Sequence, residues 1–381
     1  MPLGTLASPF TLPAALGATA WVRACQTLYL LDGTMASDAT VSLFGTSSAY
    51  VTVRAYAGVA KLNGAITVSG DYIIIRDLEL YWDGWAGRES ALTGSDPVDL
   101  VRKVLGGTGK HIKFVNCIIH DLGIVYFDDV CEGLEFYGCV IYHVGWVAPD
   151  RGHGHGLYLH NLVPTMVVKD CVIFDNFGWG IHAYSPTGAN LKYFEFVGNT
   201  VFRNGSLSGT LTPGIILGAD SGQADTATIA ENMTYGNKAG WGLQFYGAGA
   251  INVTLTDNYI SEGKLGTYTA VEESGNTYNT IGNATFLRPN TYDANRANLT
   301  IYNEAEANTV VVDILSLGWT GQLRARNVQD YFVDIQTLDI VDSAITVNMQ
   351  AINRTVATPI QWTAPATTFP QFGAFVLEHV T

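Results

Sequence analysis

Seven of the eight histidines fall between His111 and His182. The densest stretch, DRGHGHGLYLHN, supplies Asp150, Arg151, His153, His155, Tyr158 and His160, and GWGIHAYS then adds Trp179, His182 and Tyr184. Imidazoles titrate near neutrality and suit proton transfer, and a neighbouring phenol can serve as the acid. An arginine can hold a carboxylate through two parallel hydrogen bonds. Such a set could remove the proton α to a uronic acid carboxyl and protonate the departing oxygen, which is a β-elimination. His160 or His182 is the expected base, because both lie on strands rather than on the glycine-rich loop. Tyr158 or Tyr184 is the expected acid. Arg151, His153, His155, Gln244, Tyr246 and Trp179 are expected to bind substrate. The spacing His153-x-His155 also permits a divalent ion such as Zn²⁺ or Mn²⁺, with Asp150, His160 or His182 completing the shell. No matched carboxylate motif accompanies it.

These residues need strands to position them. GLYLHN from Gly156, GIHAYS from Gly180, GIILGA from Gly214 and GLQFYG from Gly242 share one alternation. Side chains of a strand point to opposite faces in turn, so Leu157, Ile181, Ile215 and Leu243 are predicted inward. Tyr158 and His160, His182 and Tyr184, Ile216 and Gly218, Gln244 and Tyr246 then point outward and form one exterior strip. The polar flank also offers Asp128, Asp129 and Asp220, any of which could serve a hydrolase. The distance between two carboxylates decides such a role.

A second recurrence sets the architecture. RDLELYWDG, VNCIIHDLG, YGCVIYHVG, KDCVIFDNFG, GNTVFRNG, ENMTYGNKAG and a weaker DNYISEG each carry an apolar triplet. The polar or Gly residue before it is Asp77, Asn116, Gly138, Asp170, Asn199, Asn232 or Asn258, at gaps of 39, 22, 32, 29, 33 and 26 residues. Short β-rich runs at this spacing, joined by Gly, Asn and Asp, predict the coils of a parallel β-helix. In this register Cys117, Cys139 and Cys171 share one core column with Leu78, Thr200, Met233 and Tyr259. The row Asp121, His143, Asp175, Asn204 and Asn237 is expected to cap turns. PVDLVRKVLGG from Pro97 is the one stretch that reads as an amphipathic helix. Beyond Gly282 the pattern changes to short strands with turn residues between them, which predicts a small β-sandwich. The expected domains are residues 1–282 and 283–381.

Composition narrows the function classes. The 381 residues are 48% hydrophobic and only 14% charged, with 41 Gly. That excludes disorder and long solvated helices. Lys and Arg number 20 against 34 Asp and Glu, a net charge of −14, and nucleic-acid binding needs the opposite sign. No apolar run is long enough to span a membrane. Five cysteines at irregular spacing do not make a disulfide framework. The first twenty residues have no Lys or Arg, and prolines interrupt their apolar stretch. That does not look like a secretory signal, and it leaves a removed signal or another route open.

The repeats resemble the right-handed parallel β-helix proteins of the pectate-lyase-like superfamily. TLYLLDGT, VTVRAYAG and YIIIRDLEL look like the opening of secreted bacterial members, and HGHGLYLHN and GWGIHAY look like motifs of an uncharacterised group within them. The resemblance covers residues 20–280 and implies the fold. That superfamily includes lyases, hydrolases, epimerases and phage tailspikes. The calcium-binding Asp cluster and catalytic Arg pattern of pectate lyases are not recognisable here. The expectation is an extracellular carbohydrate-active enzyme that cleaves an extended polysaccharide on the helix exterior, by β-elimination or hydrolysis. The alternative is a non-catalytic phage virion or adhesion protein that binds glycan.

Overall fold

The structure, a computed structural model, describes residues 11–17, 22–56, 58–94 and 96–380. The first twenty residues, which do not look like a secretory signal, lie largely outside them. The chain winds into a right-handed parallel β-helix, the hand that parallel crossovers almost always take. Each coil has three short strands. One coil runs Met166–Lys169, Val172–Phe174 and Ile181–Ser185, and the next begins with Lys192–Val197 paired in parallel on the first of these. The second strands of all coils form a 10-stranded sheet, called here the docking face. The first and third strands form the leading and groove faces. These two merge into one 17-stranded sheet, because Leu243–Thr256 runs round the corner and pairs on both sides. Inward Leu, Ile, Val and Phe from all three faces fill one continuous core.

The corner into the docking face explains the recurring Asp, Asn and Gly. Asp77, Asn116, Gly138, Asp170, Gly198, Glu231 and Asp257 have φ between 52° and 68°. Gly meets this left-handed region without a penalty, and Asp and Asn tolerate it better than most residues. The expected register slips by one residue in the later coils, where Gly198, Glu231 and Asp257 turn the corner and the asparagine follows. Cys117, Cys139 and Cys171 do stack, as the amides of Val140, Val172 and Thr200 bond their carbonyls in turn. Their column continues through Asn199, Asn232 and Asn258, not through Thr200, Met233 and Tyr259. The cause is a ladder of side-chain amides: Asn199 Nδ2 donates to Asn232 Oδ1 at 2.9 Å, Asn232 to Asn258 at 3.0 Å, and Asn258 to Asn276 at 2.8 Å. Each buried amide is thereby satisfied by the next coil.

The second corner behaves likewise. Asp121, His143, Asp175, Arg203 and Gly236 have positive φ, so the turn role expected of this row holds for the first three. Asn204 and Asn237 sit one residue on, in a second ladder from Asn176 to Asn204 to Asn237 to Glu262. That ladder accounts for Gly156, Gly180 and Gly214, which open three of the groove strands, while Gly242 is crowded by Thr234. A Cβ on Gly180 would lie 2.7 Å from the Asn204 amide nitrogen and 2.7 Å from the Gly214 carbonyl oxygen. The asparagine ladder leaves no room for a side chain there.

The stretch from Pro97 is not helical. It forms a turn and then the strand Val104–Gly107. Asp99 holds the turn by accepting from the Ser90 hydroxyl and the Ala91 amide, and Val98 and Val101 are exposed. A helix this short needs a packed apolar face to survive, and here Leu100 and Leu105 pack on the core while Val98 and Val101 do not. The described helix is instead Leu12–Leu16, which seats Ala15 and Leu16 against the first coils.

From Asn283 the strands become antiparallel. Asn283–Pro289, Arg296–Asn303, Phe372–Val380, Gln322–Asn327 and Ile335–Asp339 form a five-stranded sheet, and Thr309–Asp313 pairs with Ala344–Asn348 over its outer side. These two layers enclose a small core of their own, the expected sandwich. The other side of the five-stranded sheet packs on the docking face. There Tyr302, Phe372 and Val376 meet Val140, Phe174 and Phe202.

The thiols follow this packing. Cys117, Cys131, Cys139 and Cys171 are free and buried, and Cys25 is exposed. Burial pushes the Cys131 thiol up to about 11 and those of Cys117 and Cys139 well above the ordinary value. Only the thiolate reacts readily. A bulky alkylating reagent at neutral pH is expected to label Cys25 alone on the native protein, with the other four released by denaturant. Fast native labelling of Cys117 or Cys139 would contradict the stacked core column.

Candidate functional site

The groove face carries the candidate strip in the predicted order. Tyr126 pairs with Tyr158, Tyr158 with His182, His182 with Ile216, and Ile216 with Gln244. A parallel row runs from Tyr184 to Gly218 to Tyr246. The local alternation of GLYLHN and GIHAYS places these side chains outward, while Leu157, Ile181, Ile215 and Leu243 are fully buried inside. Outward is not open, however. His182 is 5% and His160 8% exposed. The expectation of an exterior strip is therefore corrected: these side chains leave the core but are covered. A hairpin pairing Trp146–Val147 with Gly152–His153 lies along the strip and carries Arg151 over the Trp179 ring, 5.1 Å from its centre.

His182 is the most enclosed group. Its ring lies 4.1 Å from that of His155, 4.6 Å from Trp179, 4.8 Å from Tyr158 and 5.2 Å from Tyr184, centre to centre. Burial, with Arg151 and His160 adding like charge, holds its pKa well below the ordinary 6.5, so the imidazole is neutral at pH 7. Nδ1 is buried without a partner. No described residue hydrogen-bonds Nε2, which is not among the buried unpartnered atoms, so Nε2 is the ring nitrogen left to meet a ligand. Tyr158 is half-buried beside it, and no described residue takes its hydroxyl as a hydrogen-bond partner. Burial raises the phenol above 10 against the opposing charge of Arg151, and it keeps its proton at neutral pH.

The other strip residues are already engaged. His160 Nδ1 lies 2.8 Å from Asp128 Oδ1, and Nε2 lies 2.8 Å from the Tyr184 carbonyl oxygen. Both ring nitrogens face acceptors, so neither is free to take a substrate proton. Burial would raise the Asp128 carboxyl, yet hydrogen bonds from His160, the Asp129 amide and Tyr126 outweigh it and hold it below the usual range. Tyr184 donates its hydroxyl to Asp220 at 2.6 Å.

The two histidines of His153-x-His155 diverge. His153 is fully buried, stacked on Trp146, with Nε2 3.0 Å from Asp150 Oδ2. It holds the hairpin and does not line the groove. His155 Nδ1 accepts from the Trp179 amide at 3.2 Å, which places its proton on Nε2 beside His182. Among the described residues no three His, Cys, Asp or Glu side chains converge to hold a metal ion. The structure thus brings together Arg151, His155, Tyr158, Trp179 and His182. His160 and Tyr184 form the near flank, Gln244 and Tyr246 lie further along the strip, and His153 stands apart.

Two residues escaped the sequence pattern. Tyr126 extends the strip by one coil, and IVYFDD from Ile124 shows the same alternation. Its Gly123 lies one residue out of the register set by the four opening glycines, which hid the match. Arg88 is the other, and no local pattern marks it. Buried at 1% exposure, it donates to the carbonyls of His143 at 3.0 Å, Gly145 at 2.8 Å and Ile360 at 2.9 Å, and to the Asp121 carboxylate. Its own backbone carbonyl accepts from Val147. Arg88 thus ties the hairpin that bears Arg151 to the body of the helix.

No family model and no curated protein matches the chain. Solved structures that it is similar to include pectate lyase Pel9A, at 15% identity and TM-score 0.46, covering 72% of this chain and 74% of that one. Another is an alginate lyase from Paenibacillus sp. str. FPU-7, at 16% identity and TM-score 0.39, covering 70% and 94%. A third is ORF18 of Geobacillus virus E2, at 11% identity and TM-score 0.35, covering 90% and 68%. No helix among the described residues is long and apolar enough to cross a membrane.

Proposed function

We propose that the chain is a polysaccharide lyase acting by β-elimination on a uronate-containing glycan laid along the groove face. One observation carries this reading: a neutral imidazole whose Nε2 has no hydrogen-bond partner among the described residues, His182, and a protonated phenol with a free hydroxyl, Tyr158, lie in ring contact beside Arg151. The protonation states assign the roles. His182 takes the proton from the carbon α to the carboxyl, and Arg151 balances the charge that develops on that carboxylate. The released electron pair forms the carbon–carbon double bond as the bond from the β carbon to the glycosidic oxygen breaks. Tyr158 protonates that oxygen, and the proton on His182 returns to the phenol through solvent. Hydrolysis fits less well, because Asp128 and Asp220 are each held by a donor from the neighbouring coil.

The test is a panel of glycans read at the absorbance of unsaturated uronates and, in parallel, by reducing-end release. Both signals are expected from at least one uronate polymer. Reducing ends without the absorbance would mean hydrolysis, and neither signal would favour a non-catalytic glycan-binding protein. The pH profile is a second check. A base whose pKa is depressed stays competent as pH falls and is lost only on protonation, so the acid limb of kcat/KM is expected below the ordinary histidine value of about 6.5. A limb at or above it would remove His182 from the role.

A further inference from the structure

Resting on the lyase reading, we infer that the substrate carries its uronates singly, each separated from the next by neutral sugars, and is not a continuous polyuronate. The argument is the order of charge along the strip. Arg151 stands over the coils of Tyr158 and His182, where the reacting carboxylate must lie. The next charges in both directions are negative. One coil before Tyr158 the strip ends in Asp128, whose side chain is 42% exposed, with Asp129 beside it. One coil after His182 it ends in Asp220, which is exposed and is met by the neutral Tyr184 phenol rather than by a cation.

Successive coils lie about 4.8 Å apart, so neighbouring sugars of a bound glycan fall opposite these carboxylates. A polyuronate would set its flanking carboxylates against Asp128, Asp129 and Asp220, of which only Asp128 is paired, with His160, and among the described residues no Lys or Arg besides Arg151 lies in the strip to balance them. Like charges so placed select against a ligand. Neutral sugars meet Tyr126, Ile216, Gln244 and Tyr246 instead, which offer ring faces and an amide. The net charge of −14 adds repulsion at longer range. A single arginine over the reacting sugar, with carboxylates on both sides, therefore fits isolated uronates.

The experiment compares kcat/KM on polygalacturonate and alginate with that on two alternating polymers, galacturonate–rhamnose and glucuronate–N-acetylhexosamine. One of the alternating polymers is expected to be preferred at least about tenfold, a discrimination of one like-charge contact. Added salt should lower KM on polygalacturonate by screening the repulsion. Asp220→Asn should narrow the preference by about threefold or more. Faster cleavage of either polyuronate, with a KM that salt leaves alone or raises, would overturn the inference and leave the lyase reading intact. No unsaturated product from any of the four would overturn both.

Discussion

Arg88→Met is expected to destabilise the protein by about 3–5 kcal/mol, the usual cost of removing one partner from a buried ion pair. The loss of one guanidinium leaves the Asp121 carboxylate buried and orphans the carbonyls of His143, Gly145 and Ile360 together. The environment is already demanding: burial lowers the Arg88 pKa to about 10 despite Asp121. The ring of Trp85 lies 4.1 Å from the guanidinium and Phe177 lies 5.2 Å away, so water cannot readily replace it. Urea unfolding monitored by tryptophan fluorescence would measure the loss. Removing Asp121 as well should cost less than the sum of the two single changes, because the orphaned charge disappears. A loss below about 1 kcal/mol for Arg88→Met would show that solvent reaches the cluster. Since Arg88 also anchors the Arg151 hairpin, a folded variant should show a raised KM.

His182→Gln is expected to reduce turnover of a uronate polymer by about 10²–10⁴-fold, the contribution of a positioned general base. Glutamine keeps most of the ring's volume between Trp179 and Tyr158, so the loss can be separated from collapse of the pocket. Alanine would leave a cavity in a site that is 5% exposed, and its stability cost would confuse the result. The matching change at His160 should act differently. That ring joins Asp128 to the Tyr184 carbonyl, so its loss should weaken binding and stability more than it alters the acid limb of the pH profile. Full turnover of a folded His182→Gln variant would place the base elsewhere.

The solenoid and the composition of the strip were legible in the chain because both follow from local rules. Alternation along GLYLHN and GIHAYS decides which side chains leave the core, and the need for positive φ at each corner selects Asp, Asn and Gly. The slip of one residue after Asp170 shows where local reading falls short. Apolar triplets can be aligned in two ways, and the choice between them came from the Asn199–Asn232–Asn258 ladder, a set of contacts between coils. The helix expected at Pro97 failed for a related reason, as its second half is drawn into the strand Val104–Gly107, which pairs with neighbouring coils, while Val98 and Val101 stay exposed.

Only the tertiary structure decided how the strip is used. His153 and His155 are two residues apart, yet one turns to Asp150 and the other to Trp179 and His182. His160 is taken up by an aspartate 32 residues earlier, and His182 is left with no hydrogen-bond partner among the described residues on Nε2. The outward faces of Tyr142, Phe174 and Phe202 would be exposed in a lone helix, but the C-terminal sheet makes them core. These outcomes depend on where loops and docked strands come to rest against other coils. Strand periodicity carries the direction of a side chain but not the identity of what lies over it.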